Sequence, residues 1–223
     1  MIIRAEEVKA VRALQGLESA VASVRLRAAL ALGSAPDSRW VGVLIERCAV
    51  EPDFQVREML TWALTRHAAS VTVPGLIDAL GSQRAQARSQ ALHTLSKIGD
   101  RRAWPAITRE LLTDADDEVA RSAWRAAVVL VPEDGAAALA EVLATRLGRG
   151  GHQTQLSLSR ALAALGEAVA GPVLRAARSD PAAGVRRHAI ATQHLMRDPD
   201  AGFGSALEEA KRIVALGPSA PEE

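Results

Sequence analysis

The 223-residue chain is poor in the residues that mark several protein classes. It has one cysteine, Cys48, so no disulfide can close within it, and a reducing compartment is expected. Tyrosine is absent, phenylalanine occurs twice and tryptophan four times, which leaves aromatics at 3%. A strand-rich core usually draws on β-branched and aromatic side chains. Ala, Leu and Val at this level suit closely packed helices instead. No uninterrupted apolar run approaches the roughly 18 residues of a membrane-spanning helix. The opening Met1-Ile2-Ile3-Arg4-Ala5-Glu6-Glu7 places acids where a signal peptide needs an apolar run. Neither sign of charge dominates: 27 Lys and Arg against 26 Asp and Glu leave a formal +1. Bulk charge therefore argues for neither nucleic acid nor an anionic membrane, and only local clustering could. The expectation is a cytoplasmic protein. A content of 48% hydrophobic and 24% charged residues is that of a folded chain, long enough for one domain or one continuous repeat array.

What is present is a repeat. In several segments an apolar residue is followed by Arg, then a small residue four positions after the apolar one and often Leu eight after it. The clearest copies are Val24-Arg25…Ala28…Leu32, Val56-Arg57…Leu60…Leu64, Ala87-Arg88…Ala91…Leu95 and Val185-Arg186…Ala189. Weaker copies begin at Val119-Ala120 and at Ser157-Leu158. The starts at 24, 56, 87, 119, 157 and 185 are separated by 32, 31, 32, 38 and 28 residues. The long step coincides with Gly148-Arg149-Gly150-Gly151, read as a flexible insertion. Spacings of 0, 4 and 8 share one helix face. A turn and a second apolar helix follow, as in Trp40 to Ala49, Pro74 to Leu80 and Pro105 to Leu112, with each proline opening its helix. Acidic residues before the next copy (Glu51 and Asp53, Asp114 to Asp117, Asp180) suit helix N-termini.

One helix pair cannot bury its apolar face alone, so such arrays need several units and atypical ends. The expected layout is an N-terminal capping helix in 1–19, a repeat array over 20–200, a C-terminal capping helix in 201–217 and a disordered tail at 218–223. The fold class is all-α, a right-handed α-solenoid of about six helix pairs.

Asp114-Ala115-Asp116-Asp117-Glu118-Val119 and the run from Ala87 to Asp100 resemble the compact HEAT-like repeat first named from phycobilisome lyase subunits. The resemblance covers about residues 20 to 200. The Thr-Pro-Leu-His turn of ankyrin and the Trp/Leu-Gly/Tyr pattern of tetratricopeptide units are not found. In this family the Arg usually pairs with an acid six positions earlier. That implies Glu51–Arg57 and Asp180–Arg186 ladders, while Asp114 meets Ala120. Arg25, Arg57, Arg88 and Arg186 are accordingly structural.

The resemblance also implies that the Arg-bearing helices line a concave groove. With 0, 4 and 8 in the core, positions 2 and 6 point outward. Position 2 reads Leu26, Glu58, Ser89, Arg121, Ser159, Arg187, and position 6 reads Leu30, Trp62, His93, Arg125, Ala163, Ala191. Glu58, Trp62, Ser89, His93, Arg121, Arg125 and Arg187 are the candidate partner-binding residues, since Trp and Arg are enriched at binding hot spots. The bland alternative has Trp62 filling a gap between repeats and the arginines forming a solvated face. Trp40, Trp104 and Trp124 read as packing residues.

Other chemistry finds little support. Cys48 reads as a small buried hydrophobe beside Leu44 and Ile45. The five histidines are scattered without a zinc-type partner set. The Gly148 to Gly151 run lacks the Lys-Ser/Thr of a phosphate loop. No nucleophile–base pair stands out, so no catalytic residue, metal or cofactor is assigned. The leading expectation is a protein-interaction scaffold or regulatory adaptor and not an enzyme. The alternative is nucleic-acid binding, because some HEAT-like proteins are DNA glycosylases with a basic groove, a Trp and a catalytic Asp. These groove columns hold Glu58 and no Asp, which argues against that chemistry. A bilin-lyase-type partner subunit is a third reading, carried only by the name of the repeat. Alanine- and arginine-rich usage suggests a high-GC bacterial source.

Overall fold

A computed structural model of the chain describes residues 2–198 and 202–216. Among these residues every regular element is helical. The chain divides into two compact units, Met1–Ile107 and Thr108–Glu223. The tail expected at 218–223 lies outside the described residues.

In the first unit, α1 (Ile2–Leu17) packs on α2 (Ala22–Ser34). Then follow α3 (Val41–Cys48), α4 (Phe54–Arg66), α5 (Ala69–Ala79) and α6 (Ala85–Ile98). Helices α2, α4 and α6 lie side by side in chain order, with α3 and α5 packed behind them. The second unit holds α7 (Arg109–Leu112), α8 (Asp117–Leu130), α9 (Ala136–Ala144), α10 (His152–Ala164), α11 (Glu167–Ala177), α12 (Ala183–Arg197) and α13 (Phe203–Leu216). Here α8, α10 and α12 form the row, α13 packs on α12, and α7, α9 and α11 lie behind.

The caps set the register. Asp53 accepts the Val56 N–H at 3.1 Å, and Asp116 accepts those of Glu118 and Val119, which satisfies orphan donors of α4 and α8. In all six Arg-row helices the N-cap stands three residues before the repeat's first core position: Val21, Asp53, Arg84, Asp116, Gly151 and Ala182. The fifth repeat therefore starts at Thr154, not Ser157. Thr154, Leu158 and Leu162 are its buried 0, 4 and 8 positions. The steps become 119 to 154 and 154 to 185, or 35 and 31 residues, close to the other three. Ser157 had matched because alanines and leucines crowd this helix and fit the template in two registers.

Positions 0, 4 and 8 do build the core. Val56, Leu60 and Leu64 are fully buried in the first unit, as are Val119, Ala123 and Ala127 in the second. Burying each leucine contributes about 1.5–3 kcal/mol. The alanines of α8 let neighbouring helices approach closely, which suits a core with so few aromatics. Trp124 is buried and donates its indole N–H to the Leu112 carbonyl at 2.8 Å. On α3, Val41, Leu44 and Cys48 share the buried face.

Three local expectations change. Pro74 is the sixth residue of α5, which begins at Ala69, and Pro105 lies in a 3-10 segment, Arg101–Ala106, ahead of α7. Pro74 is exposed, so the helix carbonyl it leaves without a donor can be hydrated. The glycine run at 148–151 is not a free linker. Gly148 adopts φ +75 and donates its N–H to His188 Nδ1 at 3.0 Å, and an added Cβ would stand 2.8 Å from Val185 N. The third change concerns the arginine at position 1. Arg57 donates to the Glu51 and Pro52 carbonyl oxygens at 3.0 and 2.8 Å, and Arg186 to those of Asp180 and Pro181. The contact six residues back is thus with backbone, not carboxylate.

The freed carboxylate of Glu51 pairs instead with the preceding repeat. It accepts both Arg25 Nε and Nη2 at 2.7 Å, Arg47 at 2.7 and 3.0 Å, and the Asp53 N–H at 2.9 Å. Glu51 is 0% exposed. Burial pushes its carboxyl up, but the hydrogen bonds from Arg25, Asp53 and Arg47 outweigh that and bring it down to about 2. The same bond to Glu51 raises the Arg25 guanidinium.

Candidate functional site

The outward residues of each unit are set by the corrected register. In the first unit Trp62 lies on α4 with 38% of its surface exposed. Its ring also covers α2: a Cβ added to Gly33 would stand 2.5 Å from Trp62 Cζ3. The side chain both fills the space between two repeats and presents an apolar surface. Leu30, at the equivalent position of α2 and one turn before Gly33, is also exposed. Glu58 Oε1 lies 3.2 Å from His93 Nε2, bridging α4 and α6. Ser89 departs from expectation. It is 3% exposed, and its hydroxyl donates to the Gln86 carbonyl at 3.2 Å. A short side chain tied to its own helix backbone stays below the surface, so Ser89 is not a binding residue.

In the second unit Arg121 and Arg125 flank Glu118 on α8. Arg121 pairs with one carboxylate oxygen and Arg125 approaches the other at 3.4 Å while donating to Ser122 Oγ at 2.8 Å. Arg187 is half-buried on α12. With the fifth repeat starting at Thr154, its positions 2 and 6 are Leu156 and Arg160, not Ser159 and Ala163. Arg160 is exposed and was missed in the sequence columns. Gly150-Gly151 ahead of His152 was the signal that places it, because a glycine pair marks a helix boundary.

Ser159 belongs to a buried polar cluster. Its Oγ lies 3.0 Å from His188 Nε2 and 2.7 Å from Thr192 Oγ1. His188 Nδ1 accepts the Gly148 N–H, so its proton sits on Nε2, which faces the Gln155 carbonyl at 3.0 Å. Both Ser159 and His188 are fully buried, so this serine–histidine contact has no approach for a substrate. Burial brings the imidazole down to about 4, and the bond to Gln155 only partly offsets it. Burial likewise pushes the Cys48 thiol up to about 12. Among the described residues no three His, Cys, Asp or Glu side chains are grouped to hold a metal ion, and no helix is long and apolar enough to cross a membrane.

Residues 43–129 match the family model described as HEAT repeats. Over that segment, which takes in α4, α5, α6 and α8, the chain is similar to HEAT repeats. No curated protein matches its sequence. Among solved structures, two engineered proteins from a structural genomics consortium are similar at 20% and 17% identity. They cover 91% and 90% of this chain and 96% and 98% of their own, with TM-scores of 0.46 and 0.45. The complex of CpcE and CpcF of phycocyanin lyase from Nostoc sp. PCC7120 is similar at 20% identity, over 95% of this chain and 88% of that one, with a TM-score of 0.49.

Proposed function

We propose that this protein is a HEAT-repeat scaffold or adaptor that binds a protein partner through the outward face of its Arg-row helices. The carrying observation is Trp62. Its ring is held by the close fit over Gly33, so little side-chain entropy is lost on docking, while more than a third of its surface stays open. A partly exposed, immobilised Trp beside a Glu–His pair has the make-up of an interface hot spot with a polar surround. Arg121, Arg125 and Arg187 supply charged contacts in the second unit, and the buried Cys48 suits a cytoplasmic setting. The test is affinity purification of the full chain from its native host with mass spectrometry, in nuclease-treated and untreated lanes. A nuclease-resistant partner that is lost from Trp62→Ala and Arg125→Glu is expected. Unchanged recovery of every partner by both variants refutes the reading.

The second reading, nucleic-acid binding, draws on four arginines (Arg121, Arg125, Arg160, Arg187) on three adjacent helices. Glu118 occupies two of them, which lowers the charge offered to phosphates. This reading requires partners that disappear with nuclease and an affinity that falls steeply with salt.

A further inference from the structure

The second unit carries an open-sided cavity of about 770 Å³ between α10, α12 and α13. That volume is in the range of sites that enclose a ligand's apolar groups. Leu156, Leu195 and Met196 are in its wall and are only partly buried. Leu156 and Leu195 rest against the core cluster of Ile190 and Phe203, so this wall is packed from behind and open in front. Two arginines, Arg160 and Arg197, also line the cavity, and both are exposed. Among the described residues of the lining the one carboxylate, Glu167, is paired with Arg175 at 3.2 Å. Arg187 stands on α12, and Arg125 occupies on α8 the register position that Arg160 holds on α10.

We infer that this cavity receives an apolar side chain of an acidic peptide segment, whose carboxylates pair with Arg160 and Arg197. The branched and flexible walls suit a Leu, Ile, Met or Phe anchor. The cationic rim suits Asp or Glu on either side of it, because guanidinium meets carboxylate in a bidentate fork. A nucleobase fits less well. Bases stack on open aromatic faces, whereas Phe203 is 4% exposed and has His152 and His188 against it, with ring centroids at 5.5 and 5.9 Å. Trp62 does not line this cavity, so the two readings can fail independently.

The experiment is selection of displayed random peptides on the immobilised full chain. Fluorescence polarisation then follows one labelled selected peptide. Enriched sequences are expected to place an apolar residue between acidic ones. Arg160→Glu, at an exposed position that leaves the helix intact by circular dichroism, weakens the peptide by about tenfold or more, as loss and reversal of a close charge pair does. A Lys-for-Glu version of the peptide recovers affinity for that variant, and Trp62→Ala leaves the peptide affinity unchanged. Enrichment without acidic bias overturns the inference, as does equal affinity for wild type and Arg160→Glu. Displacement of the peptide by oligodeoxythymidine at lower concentration than by an acidic peptide overturns it in favour of nucleic acid.

Discussion

Replacing Glu51 by Gln removes the charge that joins the first two Arg-row repeats. In the native protein this fully buried carboxylate receives five hydrogen bonds, from Arg25, Arg47 and the Asp53 amide. Gln keeps the shape and one acceptor, but leaves the buried Arg25 guanidinium without its carboxylate partner and Arg47 with only the exposed Glu18 at 3.9 Å. Removing one partner of a buried ion pair costs about 3–5 kcal/mol, because the other charge stays desolvated. Proton linkage gives a similar size. Moving the carboxyl from 4.5 to about 2 contributes about 3 kcal/mol, at about 1.4 kcal/mol per pH unit. The folded-state value is the lower one, so this stability is fully present above 4.5 and drains away as pH falls towards 2. Urea unfolding followed by circular dichroism measures both quantities. At neutral pH the variant is expected to be about 3 kcal/mol less stable, and the gap to wild type should narrow by about 2 kcal/mol between pH 5 and pH 3. His188 titrates in both proteins and cancels in the difference. A gap below about 1 kcal/mol, or one that does not change with pH, would show that the arginine–glutamate junction is not what holds these repeats together.

The remaining predictions concern single features. The His188 imidazole falls from 6.5 to about 4 on folding, so the unfolded chain binds its proton first and stability drops as pH falls through that window. The loss should be about 3 kcal/mol, and the His188→Gln variant should lose that much less than wild type across the window by urea titration. Gly33→Ala places a methyl 2.5 Å from the Trp62 ring and 2.8 Å from the Ala63 backbone. It should cost about 1–3 kcal/mol in urea unfolding, and an unchanged midpoint would mean that the two helices are not closely packed. Cys48 should resist a thiol-reactive chromogenic disulfide in the folded protein and react fully in denaturant. Rapid reaction without denaturant would contradict its burial.

The repeat was legible in the sequence because a helix exposes its geometry in spacing. Val56, Leu60 and Leu64 recur at fours, and residues at that interval must share a face. Caps were legible for the same local reason: Asp53 and Asp116 bond amides only three residues away. The register of the fifth repeat was not, because its Ala- and Leu-rich helix fits the template at both 154 and 157. That error hid Arg160 and put Ser159 on the surface. Ser89 was misplaced for a different reason. A register assigns a side to each position, but whether a short hydroxyl emerges between neighbours depends on how those neighbours pack.

By itself the sequence determined the helical class and the period near 32 residues, since these follow from local spacing and composition. Tertiary structure decided the pairings. Arg57 was expected to meet a carboxylate six residues back and meets backbone instead, while Glu51 turns to Arg25, 26 residues away. It also decided that a run of glycines anchors a buried histidine 40 residues on. The physical reason is common to these cases. A buried polar group must find partners wherever the packed chain brings them, and separation along the chain places no limit on that.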